Sequence, residues 1–366
     1  MITASHPTRQ IRADAHSDGD TRALPAAVAE SSSAQTEPWQ RELARAITDA
    51  RELCALLELD PAAASVAPAI QAQFRLLVPR GFVRRMRRGD ADDPLLRQIL
   101  PTAAELASPE GYSADPLGER RALATRGLLR KYHGRALLVT TGACAVHCRY
   151  CFRREFPYGG AAAAGAQQAA LEAIAADASI TEVILSGGDP LALTTSRLER
   201  LSARLRPIAH VRRLRLHTRL PIVLPERVNE SLCAWLTALP WPCVIVLHCN
   251  HANEIDSSVR AACARLRASG ATLLNQSVLL AGINDSCAAL EELSEALWSA
   301  GVLPYYLHLL DRVRGSAQFE VSEPRARALL AEAAARLPGY LLPRLVREVE
   351  GAPGKSLIAP APWPTQ

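Results

Sequence analysis

The stretch ALLVTTGACAVHCRYC, residues 136–151, joins a short apolar run to three closely spaced cysteines. The run ALLVTT, residues 136–141, has the length and apolar character of a buried β-strand. Helical patterns, for example at 194–206, 257–269 and 286–300, alternate with five comparable runs, at residues 181–188, 211–218, 243–250, 272–279 and 302–310. Six strand–helix units in a row predict a parallel α/β sheet, and both an open doubly wound sheet and a full or partial barrel fit.

Unusual polar residues follow these predicted strands. The cysteines come after the first run, SGGDP (186–190) ends the second, and HTR (217–219) ends the third. HCNH (248–251) ends the fourth run, and Asp311 follows the sixth. Ligands in parallel α/β folds collect at the carboxyl ends of the strands, so we expect one functional site there.

The composition is that of a globular protein. The 366 residues are 49% hydrophobic and 22% charged, and the net charge of +5 permits a phosphate-bearing ligand without requiring nucleic acid. No apolar run approaches the ~20 residues of a membrane helix. We expect a cytoplasmic protein. Its predicted organisation is a disordered tail (1–36), an N-terminal helical region (37–130), the strand–helix region (131–338) and a C-terminal segment (339–366).

Three of the nine cysteines are candidate metal ligands. An odd number of cysteines in a cytosolic-looking chain argues against a disulfide framework. Cys144, Cys148 and Cys151 can converge on one metal centre, whereas structural zinc usually takes four ligands in two pairs. A [4Fe–4S] cluster on three cysteines would leave one iron open to bind something else. A zinc site and a chance clustering of cysteines remain the alternatives.

The cysteine spacing, with Tyr150 just before the last cysteine, resembles the radical S-adenosylmethionine superfamily. The resemblance implies a partial (βα)6 barrel, with S-adenosylmethionine bound to the open iron and cleaved to a deoxyadenosyl radical. It also implies that the residues of SGGDP contact the methionine end of S-adenosylmethionine: Ser186, Gly187, Gly188 and Asp189. Glycines at this point let the backbone approach a ligand closely.

Lysine is rare in this chain. Of 42 lysines and arginines, only Lys131 and Lys355 are lysine. An arginine guanidinium stays protonated, whereas a lysine amine forms an imine with a carbonyl cofactor such as pyridoxal phosphate. Each lysine is therefore a candidate cofactor residue, and the alternative is two survivors of a composition bias on solvated loops.

Residues 38–358 resemble the lysine 2,3-aminomutase family in the stretches DDPLLRQ, CRYCFRR, SGGDPL, NHANE, LLNQSVLL, PYYLH and GYLLPRLVRE. The resemblance implies that Lys355, in GAPGKS, forms the Schiff base with pyridoxal phosphate. It implies that Lys131 and Arg135 of KYHGR hold the cofactor phosphate. His248 and Gln276 would join Tyr150 in contacting S-adenosylmethionine.

The family also implies the substrate contacts. Arg153 would hold the substrate carboxylate, for which a planar fork is suited. Asp311 and a second carboxylate seven residues before the cofactor lysine would hold the ε-ammonium, and that position is Glu348 here rather than an aspartate. The alternatives are a surface arginine for Arg153 and a helix cap for Asp311. His251 and His308 are interpreted as structural.

The glutamate at 348 and the absence of an extra C-terminal segment resemble the branch that serves elongation factor P. We therefore expect an isomerase that converts L-lysine to (R)-β-lysine, which a separate ligase attaches to that factor. A free-standing lysine or glutamate aminomutase is one alternative, and a zinc-stabilised nucleic-acid-binding protein is another. We expect no membrane or nucleic-acid partner, and the oligomeric state, a homo-oligomer included, stays open.

Overall fold

One sheet of ten strands organises the chain in the computed structural model, which describes residues 36–161 and 165–362. The predicted tail therefore lies outside the described residues, except for Thr36. The strands are β1 Leu123–Thr125, β2 Leu128–Leu129, β3 Arg135–Thr141, β4 Glu182–Gly187, β5 Arg213–Thr218, β6 Cys243–Leu247, β7 Thr272–Val278, β8 Leu303–His308, β9 Arg344–Arg347 and β10 Ser356–Leu357.

The strands lie in the sheet in the order in which they occur along the chain. Strands β3 to β9 are parallel, while β1, β2 and β10 add antiparallel edges. The six predicted strands are β3 to β8, and β9 is a seventh parallel strand that the sequence reading missed. A parallel sheet wound in one direction is the arrangement of a barrel rather than of a doubly wound sheet. The prediction of a partial barrel is confirmed.

Helices connect the parallel strands and precede them. The helices are α1 Pro38–Ala44, α2 Ala50–Leu56, α3 Pro68–Gln73, α4 Arg80–Val83, α5 Pro94–Arg97, α6 Tyr158–Ala161, α7 Ala166–Ala176, α8 Thr195–Leu205, α9 Leu220–Val223, α10 Glu230–Thr237, α11 Ser257–Ala268, α12 Cys287–Ser299 and α13 Glu323–Ala334. The three helical patterns read from the sequence correspond to α8, α11 and α12.

The prediction of a helical region from 37 to 130 is only partly right. Helices α1 to α5 are short, and the region ends in the β1–β2 hairpin. The helical region is interrupted between α1 and α2, because Ile47 forms a bridge with Val78 and Asp49 caps the start of α2. All of these segments belong to one compact unit, Glu37–Gln366. The predicted boundaries at 130 and 338 therefore separate segments within a single unit.

The two faces of the sheet differ in chemistry. In β5, Leu214 and Leu216 are buried in the main core with the helices. Arg215 and His217 alternate with them and therefore point to the concave face. Arg215 pairs there with Glu182 of β4 at 2.5 Å. On β5, the concave face therefore carries charged and polar side chains.

Ion pairs join the two edges of the sheet. Lys131, just before β3, pairs with Glu348, just after β9. Arg121, before β1, pairs with Glu350. These side-chain contacts, rather than a ladder of backbone hydrogen bonds, connect the two edges of the partial barrel. No helix in the described part of the chain is long and apolar enough to cross a membrane.

The SGGDP loop packs directly on the loop that carries the cysteines. The Gly188 N–H donates to the Thr141 carbonyl at 2.7 Å, and the Asp189 N–H donates to the Ala143 carbonyl at 2.8 Å. A Cβ atom at Gly188 would lie 2.3 Å from the Ala143 carbonyl oxygen. These loops therefore need a residue without a side chain for their own packing, whether or not a ligand is bound.

We predict that Gly188→Ala lowers the free energy of unfolding by about 1–3 kcal/mol, because backbone must shift to admit the methyl group. Thermal and denaturant unfolding would measure the loss. Gly339→Ala is the matched control, since a Cβ there meets nothing within 4 Å. Equal stability of the two variants would contradict the packing argument.

Candidate active site

The three cysteines lie in the loop after β3. All three are free and half-buried. Burial and the neighbouring Cys148 raise the pKa of Cys151 to about 11, and burial and Cys151 raise the pKa of Cys144. The three thiols are thus close enough to disfavour one another's ionisation, and they form one site.

The N-terminal region holds this loop in place. The His147 N–H donates to the Leu77 carbonyl at 3.0 Å, and the Arg149 N–H donates to the Gln98 carbonyl at 2.9 Å. The Arg149 guanidinium, fully buried, makes a bidentate pair with Glu105 at 2.7 Å. Such pairs combine charge with fixed geometry, so the loop conformation is set by protein contacts alone.

The donor set fits a [4Fe–4S] cluster, because three thiolates from one loop can each bind a different iron and leave the fourth iron open. Within the described residues, no three or more histidine, cysteine, aspartate or glutamate side chains converge closely enough to hold a single metal ion. A cluster binds each thiolate through a different iron, whereas one zinc gathers its ligands at about 2.0–2.3 Å. The zinc alternative therefore has no ready site in this part of the chain.

Beneath the cysteine loop lies a buried polar network centred on Arg219, which the sequence analysis placed at the end of a strand without giving it a role. Its Nη1 donates to the Cys148 sulfur at 2.7 Å and to the Tyr150 hydroxyl at 2.8 Å. Its Nη2 donates to Gln98 at 2.6 Å and to Glu254 at 2.9 Å. The network ties the second cysteine to the ends of β5 and β6.

Asp189 has a structural task in this network. Its carboxylate accepts hydrogen bonds from the Thr218 hydroxyl and from the backbone N–H groups of Leu191, Arg219 and Leu220, at 2.7–3.1 Å. With four protein donors, the carboxylate fixes the ends of β4 and β5. Contact with S-adenosylmethionine through Asp189 stays a prediction, and the structure gives this side chain another role.

Tyr150, His248 and Gln276 are brought together at the ends of their strands. The Tyr150 hydroxyl lies 2.9 Å from His248 Nε2, and His248 Nδ1 lies 2.8 Å from the Gln276 carbonyl. Burial and Arg219 lower the pKa of His248 to about 4, so this ring is neutral at pH 7. Tyr150 and His248 are already engaged by protein groups, and Gln276 takes part through its backbone.

Both lysines lie in a second cluster on the concave face. Glu348 accepts from Lys355 Nζ at 2.7 Å and pairs with Lys131 through its other oxygen. Burial favours the neutral acid, but Lys355 and Lys131 lower the pKa of Glu348 and keep it ionised. Lys355 Nζ also lies 5.8 Å from the centre of the Tyr306 ring. The alternative of two solvated lysines is wrong.

Arg153 links the lysine cluster to the SGGDP loop. It is 7% exposed, so the alternative of a surface arginine is wrong. Its Nε and Nη2 donate to the two oxygens of Glu119 at 2.6 and 2.8 Å, and its Nη1 donates to Ser186 Oγ at 3.1 Å and less closely to the Gly187 carbonyl. Glu119 therefore binds the Arg153 guanidinium that was expected to hold the substrate carboxylate. Glu119 was not predicted from the sequence.

Asp311 supplies a carboxylate that forms no ion pair with Lys131 or Lys355. The lysines pair with Glu348 and Glu119 instead. Burial and the neighbouring Glu348 raise the pKa of Asp311 to about 7. The nearest following helical turn, Ala317–Phe319, begins after Ser316, so the alternative of a helix cap is wrong.

Two histidines face this cluster with unsatisfied nitrogens. His217 Nε2 and His308 Nε2 are buried without a hydrogen-bond partner among the residues that the structure describes. Burial and Arg215 lower the pKa of His217 to about 3, and burial and Lys355 lower that of His308. Buried polar atoms without partners are rare, so these neutral rings fit a pocket that receives a polar ligand. His308, interpreted as structural, lies in the candidate site, while His251 caps the turn Ala252–Glu254.

Arg135 is separated from the lysines along its strand. It begins β3, stacks on Tyr132 at 5.1 Å, and lines a cavity of about 410 Å³ with His133, Thr181 and Arg213. Tyr132 connects it to the cluster, since burial and Glu348 raise the pKa of that phenol. Phosphate binding by Arg135 stays a prediction, and it requires a ligand that extends towards the amino ends of the strands.

Comparisons with known proteins bear on this site. A profile of the 4Fe-4S single cluster domain matches residues 133–214. The chain is 47% identical over 324 residues to the L-lysine 2,3-aminomutase of Escherichia coli (strain K12), across 87% of this chain and 94% of that protein.

Two further relatives carry the same name. The chain is 42% identical to the L-lysine 2,3-aminomutase of Haemophilus influenzae, across 89% of this chain and 96% of that protein. It is 30% identical to that of Clostridium subterminale, across 90% of this chain and 79% of that protein. The chain therefore belongs to the L-lysine 2,3-aminomutase family of radical S-adenosylmethionine isomerases.

Proposed function

We propose that this enzyme isomerises L-lysine to (R)-β-lysine at the pocket between the cysteine loop and Lys355, and that the product serves modification of elongation factor P. The single observation that supports lysine as the substrate is the environment of the Asp311 carboxylate. Its carboxylate lies near two lysines that are already paired with other acids, and burial and the neighbouring Glu348 raise its pKa to about 7. A substrate whose ammonium group binds beside Asp311 would offset the cost of ionising this buried carboxylate.

Cysteines 144, 148 and 151 would hold the [4Fe–4S] cluster, and Lys355 would attach pyridoxal phosphate. When bound, the cluster with S-adenosylmethionine supplies the removal and return of a substrate hydrogen, and pyridoxal phosphate holds the migrating nitrogen. Lys131, 16% exposed in its side chain, offers the nearest cation for the cofactor phosphate. His217 and His308 are neutral donors or acceptors for the polar atoms of the bound groups.

The protein's own contribution is orientation and exclusion of water. Arg153 is held rigidly by Glu119 and directs Nη1 towards Ser186 and the loop that packs on the cysteines. Asp311 would fix the far end of the substrate. Holding both ends of the substrate places its reacting carbons in one position between the two cofactors, which is the main way that a site of this kind accelerates a reaction.

The link to elongation factor P rests on the glutamate at position 348. Because this carboxylate bridges Lys131 and Lys355, it is less free than Asp311 to hold a substrate ammonium. The chain is 47% identical to the Escherichia coli relative and 30% identical to the clostridial one, so it lies nearer to the former within the family. The proposed product would pass to a ligase that attaches it to the translation factor.

We expect anaerobically reconstituted protein to form β-lysine from L-lysine when S-adenosylmethionine, pyridoxal phosphate and dithionite are present. It should form no β-glutamate from glutamate. The triple variant Cys144→Ala, Cys148→Ala, Cys151→Ala is the inactive control, and Cys233→Ala should behave as the parent. Metal analysis that finds zinc and no iron would contradict the proposal, and an unchanged mass of elongation factor P in cells lacking the gene would contradict the pathway.

We predict that Lys355→Arg keeps the positive charge near Glu348 but cannot attach the cofactor, because a guanidinium does not condense with an aldehyde. Borohydride reduction followed by mass spectrometry should find pyridoxal phosphate attached in the parent and not in this variant. Iron and sulfide contents should stay at the parent level. Lys131→Arg is the matched control and should retain the attachment; the opposite pattern would make Lys131 the attachment site.

We predict that Asp311→Asn, which keeps the size of the side chain, lowers kcat/KM for lysine roughly 30-fold or more. Loss of one partner of a buried charge pair costs about 2–5 kcal/mol. Cluster content, cofactor attachment and background cleavage of S-adenosylmethionine should be unchanged, since none involves the ε-ammonium. Parent-like turnover of lysine in this variant would remove Asp311 from the substrate pocket.

The pH dependence gives an independent check on the same residue. Because the raised pKa of about 7 keeps Asp311 protonated in acid, its charge is absent below pH 7 and present above it. The value of kcat/KM, which reports the free enzyme, should therefore rise through about pH 7 in the parent. Asp311→Asn should lose that rise, and an identical profile in both proteins would contradict the assignment.

A further inference from the structure

Arg219 is a buried cation in direct contact with a candidate cluster ligand. It follows β5, is 6% exposed, and donates from Nη1 to the Cys148 sulfur at 2.7 Å. Gln98, Tyr150 and Glu254 hold the rest of the guanidinium at 2.6–2.9 Å. The contact with sulfur is therefore preorganised by three other protein partners.

One donor of Arg219 has no partner. The Nε–H group is buried without any acceptor in the described residues. Buried donors of this kind are rare in folded proteins because leaving one unpaired is costly. A guanidinium that already contacts Cys148 thus has a spare N–H for an acceptor that arrives with the group bound by that cysteine.

Reduction of a [4Fe–4S] cluster adds one electron, and so one negative charge, from an external one-electron reductant. Hydrogen bonds to the sulfurs and the local charge set the potential at which this occurs. A cationic donor stabilises the reduced cluster more than the oxidised one. Glu254, fully buried and 2.9 Å from Arg219, acts in the opposite direction.

We propose that Arg219 is a positioning residue that raises the reduction potential of the cluster on Cys144, Cys148 and Cys151, and that Glu254 limits this effect. The inference rests on the proposed cluster site. It assigns a purpose to two buried charges that neither hold the substrate nor attach pyridoxal phosphate. It also predicts opposite effects on the potential when each charge is removed.

The test is the midpoint potential of the reconstituted cluster, titrated anaerobically with dithionite and followed by electron paramagnetic resonance without S-adenosylmethionine. Arg219→Gln should disfavour reduction about tenfold, which corresponds to about 59 mV lower for a one-electron couple. Glu254→Gln should shift the midpoint to higher potential. Arg219→Lys, which keeps the charge but loses the fork, should lie between the parent and Arg219→Gln.

The opposite signs separate this inference from a loss of structure, which would move both variants in one direction. Arg227→Lys is the matched control, because Arg227 is also fully buried but bonds to the Leu191 and Leu193 carbonyls. If Arg219→Gln does not fold, Arg219→Lys and Glu254→Gln decide. Full cluster content with unmoved midpoints, or shifts of the same sign, would overturn the inference alone. A parent without iron would overturn the proposed function and this inference with it.

Discussion

The ion pairs of Glu348 with Lys131 and Lys355 are the interaction on which the pocket depends. The three residues come from segments beside β3, β9 and β10, so the carboxylate joins the two edges of a ten-stranded sheet. Without this carboxylate, Lys355 would lose the one ion pair it makes among the described residues, which is costly in a half-buried site, and Lys131 would keep only its longer pair with Glu119. The same carboxylate therefore closes the fold and places both lysines on the concave face.

The pocket brings three cationic side chains, those of Arg153, Lys131 and Lys355, close to three carboxylates. Arg153 is matched by Glu119, and the two lysines share Glu348. His217 and His308 have lowered pKa values and add no charge at pH 7. Asp311 is the carboxylate that forms no ion pair among the described residues, and burial and the neighbouring Glu348 raise its pKa although Lys355 and Lys131 act in the opposite direction. An ammonium group bound beside Asp311 would favour its ionised form, which is why we assign it to the distal end of the proposed substrate.

The parts of this structure that the sequence predicts are those with a local signal. Continuous apolar runs predicted β3 to β8, and the spacing of the cysteines and the rarity of lysine selected Cys148 and Lys355. Glu119 was missed, and Arg219 was given no role, because their partners Arg153 and Cys148 lie 34 and 71 residues away and no periodicity marks such pairs. Strands β9 and β10 escaped because four- and two-residue strands carry too little pattern. The pairing of each arginine with a glutamate requires the fold itself.

That pairing explains the unusual use of basic residues. Around the cysteine loop, Arg149, Arg153 and Arg219 are each held by a buried glutamate, namely Glu105, Glu119 and Glu254. An arginine fork makes two directed bonds and stays charged, so it suits positions that must be rigid before a cofactor arrives. Lysine has a flexible stem and an amine that can lose its proton and react. The two lysines occur where we propose that cofactor groups attach, and the neighbouring arginines occur where the scaffold must not move. The division of labour between the two residue types thus follows from their chemistry.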